Sequence, residues 1–407
     1  MKRILLILFL LVIIPGCDKN EVDPDNVPDL RPLSPSEEAM VNSTNEFAFN
    51  LWHNLDPESK NENTILSPAS VSYALSMTYN GAAGNTRTAI SDVLNINAMQ
   101  PEAVNTANKS LTSFLLSLDK VVTLNIANSV WYMNGLTVSN SFEKIIADDY
   151  NGKVSGLDFS DQNSSTTIND WIDQATKGMI RKMIDKTSAL DIIYLVNAIY
   201  FKASWAEKFD KDKTQIKNFY LENGLTVPAD MMNCSKAKIL LYYNDNLIMA
   251  DIPYGNGQYA MSVILPDDRT GLDEISSTIS ESQYEEWLTE ADSVERMILM
   301  PKFTIESKFE LSQSLSDLGM GIAFSDSADF SNLFEDNAFF AITGVLQKAK
   351  IIVDEEGTEA AAVTVVHGTG APGPPDIIEI NRPFMFIIHE RYTHTILFMG
   401  KVMDPTL

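Results

Sequence analysis

Apolar residues recur along this chain in two rhythms, and the rhythm changes many times. Between Ser36 and Leu55, Phe47, Leu51 and Leu55 stand four apart, which predicts a helix with one buried stripe. Pro57 to Asn63 is a polar loop. Ser67-Pro68 then sets a hydroxyl before a first-turn proline, a helix start. Tyr73, Leu75, Met77 and Tyr79 make that helix apolar enough to be buried. Leu124 to Tyr132 reads as a strand, and Thr166 to Ile184 as an amphipathic helix with Ile168, Trp171, Ile172 and Ala175 on one face. Ile192 to Phe201 is a continuous apolar run that fits a buried strand. Leu247 to Ile252, Tyr259 to Leu265 and Arg296 to Pro301 are also strand-like. Helices and strands mix without strict alternation, so the class is α+β.

The first residues follow neither rhythm. Lys2 and Arg3 precede an apolar run, Ile4 to Ile14, too short to span a bilayer, which takes ~20 residues. Ile14-Pro-Gly-Cys17 resembles a bacterial lipobox, although Pro15 departs from the usual small residue. Residues 1–16 are therefore expected to be a lipoprotein signal peptide, with Cys17 as the lipid attachment; an ordinary secretory signal is the rival reading. Acylation anchors at ~0.8 kcal/mol per buried methylene. Asp18 to Pro35 is rich in Asp, Asn and Pro, so 17–35 reads as a lipidated tether. Lys19-Asn-Glu21 resembles the acidic signals that send some lipoproteins to the cell surface. The expected location is the bacterial cell envelope, lipid-anchored at the outer membrane, with surface display as a further option. Residues 36–407 show no linker and no repeat, and they are assigned to one large domain.

Charge and cysteine content narrow the partners. A net charge of -25 argues against nucleic acid and anionic membrane surfaces. After Cys17 only Cys234 remains, so no intrachain disulfide is available and the core must hold the fold. No enzyme site emerges. Gly368-Thr-Gly-Ala-Pro-Gly373 matches a dinucleotide-binding glycine pattern, but Pro372, Pro374 and Pro375 forbid the helix that must follow. His389-Glu-Arg-Tyr-Thr393 lacks the second histidine of a zinc-protease motif, and His394 lies off the helical face. No Gly-x-Ser-x-Gly elbow occurs. Neither a metal nor a cofactor is expected.

The unusual segment lies near the C-terminus. A strand-like Ala349 to Val353 leads into the carboxylates Asp354, Glu355 and Glu356, then Gly357, then Ala360, Ala361 and Ala362, then a Gly/Pro-rich stretch to Pro375. On composition alone this is a surface loop. In wording, Glu355 to Thr364 resembles the hinge of the serpin family of protease inhibitors. Asn63 to Ser70, Leu195 to Trp205, Asn381 to Phe386 and Phe398 to Pro405 are similar to further serpin motifs, in the same order. The resemblance implies one domain with a large central sheet, two smaller sheets and about nine helices, and a reactive loop at about 355–375.

It also implies a suicide mechanism. A protease attacks the loop and forms an acyl-enzyme; the loop then inserts as a new strand and carries the protease with it. Serine proteases are the expected targets, with cysteine proteases as a second class, and a covalent complex with a monomeric inhibitor is the expected assembly. In the hinge, Gly357 permits chain reversal and Thr358 enters the sheet first. Ala360, Ala361 and Ala362 offer little bulk, Glu359 should point outward, and Thr364 fits the inhibitory pattern. The family's sheet-opening zone maps to Ser67, Ser70 and Asn197, with Gln347 in place of a usual histidine, and Trp205 at the top of the sheet. Counting from Gly357 puts the reactive bond at Ala371–Pro372, an awkward place for proline. Gly370–Ala371, Thr369–Gly370 and Val366–His367 are the alternatives. No Arg or Lys lies between Gly357 and Asn381, so elastase-like or subtilisin-like targets are favoured over trypsin-like ones. Residues 85–120 hold only Arg87, Lys109 and Lys120 as cations against Asp92, Glu102 and Asp119, so no heparin site is expected there. The rival reading is a non-inhibitory surface lipoprotein that uses the fold only for binding.

Overall fold

A computed structural model describes residues 26–55, 61–267, 271–335, 340–355 and 376–407. The described helices are α1 (Pro35–Leu55), α2 (Pro68–Gly81), α3 (Gly84–Val93), α4 (Pro101–Ser117), α5 (Asn140–Tyr150), α6 (Ser164–Ala175), α7 (Leu272–Thr278), α8 (Glu281–Glu290) and α9 (Ser312–Leu315). The first eight strands are β1 (Thr64–Leu66), β2 (Thr123–Met133), β3 (Lys153–Leu157), β4 (Ile193–Lys202), β5 (Gln215–Tyr220), β6 (Thr226–Tyr243), β7 (Leu247–Tyr254) and β8 (Tyr259–Pro266). β9 (Asp292–Pro301), β10 (Phe303–Glu310), β11 (Gly344–Val353), β12 (Ile377–Glu379), β13 (Phe384–Glu390) and β14 (Ile396–Val402) complete the set.

These strands form two sheets. One has five strands in the order β10-β11-β4-β2-β3; the other has nine, running from β1 and β14 to β9 and β12, with β5 on β6. The two smaller sheets implied by the resemblance are thus continuous. Strand β6 is 18 residues long and pairs with β5 at one end and β7 at the other, so it joins them. Helix α2 buries every residue but Ala69, including Ser70, Ser72, Ser76, Thr78 and Asn80, as a helix enclosed on all sides does. Ser67 precedes it in an extended conformation but makes no side-chain cap; its hydroxyl donates instead to the Leu397 carbonyl at 2.7 Å.

Apolar side chains fill both sides of the five-stranded sheet. Ile199, Ala349 and Ile351 join Met261, Val263 and Phe386 of the nine-stranded sheet in one cluster. On the outer face, Ile168 and Ile172 of α6 pack with Trp131, Val196 and Ala198.

Two expectations change. The helix expected over 166–184 ends at Ala175. Lys177 and Gly178 take left-handed angles, φ 52° and 84°, and the Thr176 hydroxyl accepts from the Ile180 amide at 3.0 Å, so the chain turns instead of coiling on. The tether expected over 17–35 is, from residue 26 onward, bound to the body. Asn26 Nδ2 donates to Asp119 Oδ1 at 2.9 Å, and Asn256 Nδ2 donates to the Asn26 carbonyl at 3.0 Å. Arg31 lies 4.8 Å from the Phe114 ring centroid and pairs with Glu37, whose carboxyl it holds down at about 2.

Candidate functional site

The centre of the five-stranded sheet is a parallel pair, β4 and β11. Their partners run from Gly344↔Tyr194 to Ala349↔Ile199 and stop. Above that point Tyr200, Phe201 and Lys202 remain paired to β2, and Lys350 to Val353 remain paired to β10. The two inner edges therefore face each other unpaired. A cleft of about 350 Å³ opens there, lined by Tyr200, Phe201, Trp205, Tyr254, Ile351 and Val353 among others. Because the pair is parallel, β4 and β11 end at the same pole, and the chain leaves Val353 beside the cleft. A segment turning back from there would run antiparallel to both neighbours. Antiparallel pairing is slightly more stable per residue than parallel, so filling the seam would exchange one weaker interface for two stronger ones.

Below the cleft a polar row crosses the sheet. Gln347, Asn197 and Asn128 are aligned on β11, β4 and β2. Ser67 and Ser70 meet this row from the start of α2. Gln347 Nε2 donates to the Ser67 carbonyl at 2.6 Å and to Ser70 Oγ at 3.1 Å, and Gln347 Oε1 accepts from the Ser67 amide at 3.3 Å. Asn197 Nδ2 donates to the Ser70 carbonyl at 2.9 Å and to Asn128 Oδ1 at 2.6 Å, while Ser70 Oγ donates to Asn197 Oδ1. All five side chains are buried. Asn128 Nδ2 at the edge of the row has no partner among the described residues, while the contacts of Gln347 and Asn197 with Ser67 and Ser70 latch the two inner strands to one helix end. The glutamine spans the distance with an amide that cannot titrate.

At the pole, Trp205 stacks on Tyr254 with ring centroids 4.3 Å apart, and its Nε1 donates to the Asp354 carbonyl at 3.0 Å. The next residue, Glu355, is only 4 % exposed. Its Oε1 accepts from the Thr214 hydroxyl at 2.5 Å and its Oε2 pairs with Lys302 Nζ at 2.7 Å. Burial pushes this carboxyl up, but the contacts from Lys302 and Thr214 outweigh it and leave the group below its ordinary range. Glu355 is thus an ion-paired anchor at the last described residue before 356–375. Burial pushes the Cys234 thiol up to about 11, so it is a packed, unreactive side chain.

The structure therefore brings Ser67, Ser70, Asn197 and Gln347 into one cluster and puts Trp205 and Glu355 together at the end of the seam. Gly357, Thr358, Glu359, Ala360, Ala361, Ala362 and Thr364 lie outside the described residues. So do the reactive-bond candidates Val366, His367, Thr369, Gly370, Ala371 and Pro372, and the lipid-attachment candidate Cys17. Sequence reasoning missed Asn128, Tyr254, Thr214 and Lys302. Asn128 carried a signal, a polar residue inside an apolar strand run; the other three meet their partners only through the fold.

Comparison with known proteins places this geometry. The family described as Serpin (serine protease inhibitor) matches residues 42–405. A serpin-like protein of Thermococcus kodakarensis, itself uncharacterized, is 31% identical over 432 residues, covering 99% of each chain. Iripin-1 of Ixodes ricinus is 32% identical, covering 88% of this chain and 93% of its own. Among solved structures, the native state of the thermophilic serpin tengpin superposes with a TM-score of 0.81 at 31% identity, over 93% of this chain and 97% of its own. Human thyroxine-binding globulin in complex with thyroxine gives 0.82 at 29% identity, over 91% and 99%.

Proposed function

The chain belongs to the serpin family, and from that premise we propose that it is an irreversible inhibitor of serine proteases. The observation that carries this reading is the half-paired β4–β11 seam, with the loop rooted at its open end. A protease cuts the loop between residues 356 and 375, the acyl-enzyme forms, and the freed segment enters between β4 and β11. Inserting ~15 residues at ~3.3 Å each displaces the loop end by ~50 Å. The small residues Ala360 to Ala362 lower the steric barrier, and the latch at Ser67, Ser70, Asn197 and Gln347 holds the sheet shut until then. The loop's small and β-branched residues and its lack of cations favour elastase-like or subtilisin-like targets. Cys17 would tie the inhibitor to the bacterial envelope by its acyl chains.

Similarity to thyroxine-binding globulin and the awkward Pro372 support a second reading, a binding protein that never traps a protease. One experiment separates the two. The purified protein is mixed with an elastase-like protease and resolved on a denaturing gel, and its melting temperature is measured before and after loop cleavage. A covalent complex and a large rise in melting temperature support inhibition. Clean cleavage with no rise refutes it. Thr358→Arg should turn inhibitor into substrate, because a charge would have to enter the sheet first.

A further inference from the structure

The chain carries a net charge of -25, yet one cleft on the outer face of the five-stranded sheet has the opposite sign. At about 530 Å³, it is lined by Arg181, Lys182, Lys348 and Lys350, with Glu306 as its one carboxylate.

The cations are crowded against their own repulsion. Lys308 on β10 stands directly opposite Lys348 on β11, an arrangement that costs stability in an antiparallel pair. Lys348 turns to Glu306 at 2.5 Å, and Lys350 reaches the same carboxylate at 3.6 Å. Asp185 is shared in the same way, by Lys182 at 2.8 Å and Lys308 at 3.4 Å. Arg181 is exposed and has no carboxylate partner among the described residues. Four lysines thus share two carboxylates, and Arg181 adds a fifth positive charge.

The cleft also straddles the moving part. The segment 176–192, between α6 and β4, forms one wall. Its Lys182 carbonyl accepts from Lys348 Nζ at 2.8 Å, and its Asp185 reaches Lys308. It begins on α6, touches β11 and β10, and returns to β4, so it crosses the β4–β11 seam. Met179 lines both this cleft and the open cleft at the end of the seam.

We propose that this cleft binds a compact multivalent oxyanion, a condensed phosphate or a sulfated sugar, and that the bound anion clamps segment 176–192 onto β11. Arg181 offers the planar fork that matches such oxygens, and the lysines supply point charge. The clamp rests on the insertion reading above: a strand entering the seam must pass beneath the segment and part it from β11. An anion that needs both walls binds only the closed sheet. At 100 times its Kd it would make the open sheet about 100-fold rarer. The charge balance of residues 85–120 does not bear on this cleft, which is built from other elements.

The test uses the purified protein with inorganic tripolyphosphate, and sucrose octasulfate as a second arm. Calorimetric titration should show binding that weakens with salt and falls at least tenfold in Arg181→Ser/Lys350→Ser. Lys236→Ser, a distant exposed control, should bind as the parent does. The rise in melting temperature after loop cleavage should develop more slowly with the anion present. Phosphate binding without sulfate binding assigns the site to phosphates, and the reverse to sulfated sugars. No binding, or binding indifferent to the double substitution, overturns the site while leaving protease trapping intact. Binding with an unchanged insertion rate overturns the clamp. Failure of the cleaved protein to gain stability even without anion overturns the clamp together with the insertion reading.

Discussion

Replacing Glu355 by Gln keeps the side chain's size and removes its charge. In the native chain this carboxylate is buried and held by Thr214 at 2.5 Å and Lys302 at 2.7 Å. A charge-assisted hydrogen bond contributes about 1.5–3 kcal/mol. The Lys302 side chain is 37% exposed, so water recovers part of that on substitution. A loss of about 1–2 kcal/mol is expected, a factor of roughly 5–30 in the folded-to-unfolded ratio. The pH dependence has a definite sign. The folded carboxyl titrates below its ordinary value, so its stabilisation is complete above the unfolded value and disappears as pH falls through the folded one. Melting curves of the native protein and Glu355→Gln should therefore differ at neutral pH and converge in acid. Taking the difference between the two proteins cancels the many other carboxylates. Equal curves at neutral pH, or a gap that persists as pH falls, would refute the ion-pair argument.

Two further substitutions probe the polar latch and the turn that holds the N-terminal segment. Gln347→Leu removes the donors to the Ser67 carbonyl and Ser70 hydroxyl inside a buried row; it should cost about 1–3 kcal/mol, read as a lower urea midpoint, and an unchanged midpoint would show that the row does not latch the sheet. Gly255→Ala places a Cβ 2.0 Å from Asp119 Oδ2 at a backbone φ of 48°; about 1–3 kcal/mol of strain is expected, with faster proteolysis near Asn26, and wild-type resistance would disprove the coupling of that turn to the N-terminal segment.

What the sequence revealed depended on how local each signal was. The strand from Ile192 to Phe201 and the buried helix after Ser67 announced themselves by apolar runs and a proline; the strand lies within a residue of expectation at each end, and the helix starts at Pro68. The helix over 166–184 was overextended because its apolar spacing continues past Ala175, while two left-handed residues stop the coil. Ser67, Ser70, Asn197 and Gln347 were legible as a group only through resemblance, since their spacing along the chain carries no periodicity. Lys302 and Thr214 were invisible: nothing near either marks it as a partner for Glu355. The half-paired seam was equally hidden, because hydrogen-bond register between distant strands leaves no local trace.

The bonds at Asn26 bear on how the protein would be displayed. Asn26 lines the same cleft as Trp205, so the leader leaves the body near the pole where the loop is rooted. On the proposed attachment at Cys17, nine residue steps separate the acyl chains from that point. Fully extended, they reach about 30 Å. So short a leash would hold the bait-bearing pole close to the bilayer, and a protease would be met at the membrane surface instead of out in solution.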